Sequence, residues 1–183
     1  MLENDKDIKI AGDKPSDSFK TGVSSGSEEF EMERANGNLA KAKELGKKVA
    51  LALKEACNSD LVNSPENDNN LYIQRILLLS FAATVGFEKF CPTNATATTA
   101  QNAFFDHLKA ISPKIYEHSC DTGAFSFYFL AYRRGSDIER RIGQTFAMIC
   151  LHDGDPIFQE LGEALYCWFS GVVRKKAKEI LFA

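Results

Sequence analysis

From Ile76 to Phe87 the chain runs apolar for twelve residues, broken only by Ser80, Thr84 and Gly86. Gln74, Arg75, Glu88 and Lys89 are the other polar residues of note between Leu71 and Phe90. A helix that is apolar on every face has to be surrounded by other elements. Twelve residues fall short of the roughly 20 needed to cross a bilayer. The pattern therefore predicts a buried central helix over about 70–90 in a small soluble domain.

The segments around it are one-sided. Leu45, Val49, Ala52, Leu53 and Ala56 repeat at helical spacing, which predicts a helix over Asn38–Cys57 with Asn36 or Asn38 as its cap. Pro92 closes the central helix. Thr98 and Gln101 have the spacing of a capping box, so the third helix is expected to begin near Thr98. Its stripe is Ala100, Ala103, Phe104, Leu108 and Ile111. Pro113 limits it, with one further turn around Ile115 and Tyr116.

Alternating aromatics between Gly123 and Gly135 permit a strand. Phe125, Tyr128, Phe129 and Tyr132 fit a helix better, with Gly135 just past its end. Ser136 and Glu139 read as the capping box of a fifth helix with the stripe Ile138, Ile142, Phe146 and Ile149. His152-Asp153-Gly154 reads as a turn. Asp155 then caps a sixth helix with Pro156 at its first position. The inner stripe of that helix is expected to be Ile157, Leu161, Leu165, Trp168, Phe169 and Val172.

The expected fold class is all-α: a compact bundle of about six helices around the central one, over residues 37–183. Residues 1–36 hold nine acids against five bases and no periodic apolar face, so they are expected to form a polar, disordered tail.

Charge narrows the choice of partners. The net charge is −3, and the tail's −4 leaves +1 for the remainder, too little to draw in nucleic acid or an anionic membrane. Lys41, Lys43, Lys47, Lys48 and Lys54 are interrupted by Glu44 and Glu55, as on a solvated face. The acidic start, Met1–Asp7, leads into no apolar run, so no secretory or transit signal is expected. The five cysteines are odd in number and form no C-x-x-C pair, which suits reduced thiols in the cytoplasm.

No phosphate loop, nucleophile elbow or metal-protease motif occurs, and neither cofactor nor metal is expected. His107 lies on an apolar stripe and reads as a core histidine. His118, Cys120 and Asp121 lack a second pair of metal ligands.

Two features point beyond packing. Arg133, Arg134, Arg140 and Arg141 bracket the junction between the fourth and fifth helices, where free helix N–H groups and guanidinium donors suit an anion. Phe125, Phe127, Tyr128, Phe129 and Tyr132 are too many aromatics for one face of a short helix, so some are expected to face a second packed layer or a surface groove, and an exposed patch of them would mark a dimer interface or a hydrophobic ligand groove. The expected function is that of a non-enzymatic helical module binding a protein partner or itself, as a homodimer. The alternative is a small-molecule or phosphate-binding protein or enzyme using the arginine junction.

Overall fold

The computed structural model describes residues 21–59, 69–120 and 122–183. Among them the chain forms eight α-helices and no strand: α1 (Thr21–Ala35), α2 (Asn38–Cys57), α3 (Asn69–Phe90), α4 (Asn94–Ile111), α5 (Pro113–Ser119), α6 (Thr122–Arg133), α7 (Ile138–Ile149) and α8 (Pro156–Ile180).

α3 is the axis of the bundle. It touches α2, α4, α5, α6, α7 and α8, and every residue from Arg75 to Phe87 is buried. By length and composition Asn70–Phe90 would suit a membrane span, but 72% of its most apolar window is covered by the other helices. Its polar interruptions are satisfied inside the core. Thr84 donates back to the Ser80 carbonyl at 3.2 Å. The Ser80 hydroxyl instead reaches across to Ser119 of α5 at 2.9 Å, and Ser119 donates in turn to the Ile115 carbonyl.

Two helix pairs flank this axis, α2 along α4 and α7 along α8. Glycine sets their spacing. A methyl group at Gly46 would overlap the Ala100 carbonyl oxygen, and one at Gly143 would overlap that of Gln159. Both pairs thus approach backbone to backbone.

The structure moves several sequence boundaries. The tail expected over 1–36 lies outside the described residues up to residue 20, and from Thr21 to Ala35 it is helical. α1 has no apolar periodicity of its own and is held by tertiary polar contacts. Glu29 accepts from the Ala95 N–H at 3.0 Å, placing a carboxylate at the positive end of α4, and buried Glu33 accepts from Asn38 at 2.6 Å. Asn38 is not the cap of α2; Gly37 in left-handed conformation is. The Asn38 amide is spent on Glu33 and on both backbone groups of Ala183.

α4 starts at Asn94 rather than near Thr98, because Thr93 and Thr96 form the capping box. α4 ends at Ile111, short of Pro113 as expected, and the further turn around Ile115 and Tyr116 is a separate helix, α5, that Pro113 opens. Ser136 does not cap α7. Gly135 and Asp137, both at positive φ, make the turn, and Asp137 is the cap residue without a side-chain bond. Asp155 caps α8 as expected, accepting from the Ile157 N–H at 2.9 Å. Ile157 and Trp168, expected on its inner stripe, are exposed.

Candidate interaction site

Of the five α6 aromatics singled out, four pack around Phe81 of α3 and one faces outward. Tyr128 is fully buried, stacked on Phe81 of α3 with ring centroids 5.2 Å apart, and Tyr132 meets the same ring edge-on at 6.3 Å. Phe125 and Phe129 also meet the Phe81 ring edge-on, at 6.0 and 5.1 Å, and with Phe105 and Tyr116 they line an uncharged cavity of about 520 Å³. Phe127 alone of the five faces α7 and solvent.

On that side α6 and α7 present matched stripes. Phe127, Leu130 and Ala131 of α6, with Arg134 just past its end, fall at i, i+3, i+4 and i+7. Arg141, Gln144, Thr145 and Met148 fall at the same spacing on α7. Together with Asp153 they line one groove of about 390 Å³. Phe127 is 51% exposed, Leu130 58% and Met148 40%. The groove is polarised along its length. Arg134 and Arg141 sit where α6 ends and α7 begins, while Asp153 sits beyond the far end of α7.

Leu151 lies between two of the groove's residues, Met148 and Asp153, and is 86% exposed. Its backbone is left-handed, with φ 64°. The Leu151 N–H bonds the Met148 carbonyl at 3.0 Å and the His152 N–H bonds that of Ala147 at 2.9 Å. These two bonds make a Schellman ending of α7, a position where glycine is the usual occupant.

The four arginines do not converge on one point. Arg141 donates to the Arg134 carbonyl at 2.9 Å and so closes the end of α6. Arg133 lies over the Phe129 ring, 5.8 Å from its centroid, away from the groove. Arg134 and Arg140 have no side-chain partner among the described residues.

The other polar candidates are spread apart. His107 is half-buried in a groove of about 490 Å³ between α2 and α4, beside Lys43, Lys47 and Asp106. His118 and Cys120 are at the end of α5, and Asp121 lies outside the described residues. His152 stacks flat on Phe158 at 3.7 Å. Among the described residues no three His, Cys, Asp or Glu gather as a metal would require. Of the α2 and α8 lysines, Lys48 pairs with Glu44 at 2.8 Å, Lys176 with Glu179 at 3.4 Å, and Lys41 donates to the Leu181 carbonyl.

Sequence reasoning reached Phe127, Arg134 and Arg141 but missed Leu130, Met148 and Leu151. Leu130 and Met148 stand off the inner stripes of their helices, and that offset is the signal that would have found them. The chain matches no family model, no curated protein and no solved structure.

Proposed function

We propose that this protein is a helical interaction module, not an enzyme, and that it works by docking its α6–α7 face onto a protein surface. One observation carries the reading: the matched stripes of two adjacent helices leave Phe127, Leu130 and Met148 in solvent around a single groove. Scattered exposed apolar residues are ordinary, but a clustered set rimmed by polar groups is the pattern of a binding surface. Two adjacent helices with a shared groove are half of a helix-packing unit, and a partner helix or helix pair completes it. The charged groups at the ends of the groove suit a rim, which contributes to orientation and encounter rate more than to affinity. The five free cysteines support a reducing compartment such as the cytoplasm.

The test is the size of the full chain in a native extract. The wild type is expected to run larger than its 20.3 kDa mass, and Leu130→Asp to run at the size of the free chain. A wild type that runs as a free chain, or a Leu130→Asp variant that remains in a larger species, would remove the α6–α7 face as the site of docking.

A further inference from the structure

The polarity of the groove identifies its occupant. We infer that a second copy of this chain docks there, its α6–α7 pair laid antiparallel over the first, a reading that rests on the docking function proposed above. The cationic end holds Arg134 and Arg141, the anionic end Asp153, and the apolar residues lie between them. Arg141 and Met148 are seven residues apart on α7, so the span from the cationic end to the apolar end is about 10 Å.

A two-fold axis perpendicular to the groove exchanges the ends. Arg134 and Arg141 of one copy then lie over Asp153 of the other, and the same contact recurs at the opposite end. Phe127, Leu130 and Met148 from both copies meet in the middle, which gives a four-helix layer closed by two identical rims. A two-fold axis along the groove would instead set arginine against arginine, an arrangement that like-charge repulsion disfavours. The surface is self-complementary in one orientation only.

Leu151 supports the same assignment. Leu151 is left-handed and 86% exposed at the end of α7, where glycine would make the same two hydrogen bonds without the side chain. It lies two residues before Asp153 and three after Met148, both of which line the groove. A residue kept in a strained conformation at a surface is the kind of outlier that marks a working site.

Arg134 and Asp153 are suited to a charge-exchange test, since neither side chain has a partner within the described chain. Purified Arg134→Glu and Asp153→Lys are examined by sedimentation equilibrium, alone and mixed in equal amounts. Circular dichroism confirms that both keep the wild-type helix content. Each variant alone places like charges at both rims, and its self-association is expected to weaken by at least about tenfold. In the mixture Glu of one variant meets Lys of the other at one rim, and the native Arg and Asp meet at the second, so a heterodimer is expected to return. Single variants that dimerise as well as the wild type would overturn the assignment, and so would a mixture that stays monomeric. A wild type that is monomeric when pure at about 100 µM would also overturn it. That last result leaves the docking reading standing wherever the extract species still depends on Leu130.

Discussion

Leu151 shows how much one residue can reveal. L-residues in left-handed backbone cost roughly 1–2 kcal/mol, and glycine would end α7 with the same two hydrogen bonds. Leu151→Gly is therefore expected to stabilise the isolated chain by about 0.5–1 kcal/mol, the relief of strain being partly offset by the greater freedom of the unfolded chain. Denaturation at a dilution where the chain is monomeric reads this directly. The same substitution is expected to weaken association, and a variant that gains stability without losing association would detach Leu151 from the interface. Burial acts at other residues. It pushes the Cys57 thiol up to about 12 and the Tyr166 hydroxyl likewise to about 12. The folded chain then keeps protons that the unfolded chain releases, so this part of the stability is intact below about pH 9 and falls as pH rises from there. Cys57→Ala is expected to lose less stability than the wild type between about pH 8 and pH 10, and equal losses in chemical denaturation would contradict it. None of this could be read from residue type alone. A leucine, a methionine or a cysteine off a stripe looks the same in sequence whether a neighbour covers it or not.

At the scale of the element, legibility followed the source of each helix's stability. α3 was readable because its sequence is apolar all round, and such a helix has to be covered on every face. α2 has a clear apolar stripe and α8 the Asp155-Pro156 start, so the extent of α2 and the start of α8 matched expectation. α1 was not readable, since its hold on the body comes from Glu29 at the head of α4 and from Glu33 on Asn38, contacts that no local pattern encodes. α4 began earlier than expected because Thr96 takes the capping-box role more often filled by Glu or Gln. The α6–α7 turn eluded the pattern because Asp137 adopts a left-handed conformation that displaces Ser136 from the cap. The central place of α3 has a direct consequence. Leu78 is fully buried, and Leu78→Ala is expected to cost about 2–5 kcal/mol. A loss under about 0.5 kcal/mol in urea denaturation would mean that α3 does not fill the core.

For the whole molecule, one axis helix and two close helix pairs use up most of the apolar surface, and of what is left over Phe127, Leu130 and Met148 share one groove. The sequence showed that α6 had more aromatics than one face can bury, and it placed arginines at the next turn. It did not show that these two features share a groove. That follows only from the antiparallel return of α7, which brings the stripe of Arg141 and Met148 alongside that of Phe127 and Arg134. Antiparallel self-docking turns this leftover surface into core. The mass of the purified full chain in solution tests it most directly, read by light scattering over a concentration series for the wild type and Leu130→Asp. The wild type is expected to approach twice the 20.3 kDa chain mass as concentration rises, and Leu130→Asp to remain at the chain mass throughout. A wild type that stays at the chain mass, or two proteins that dimerise alike, would contradict it.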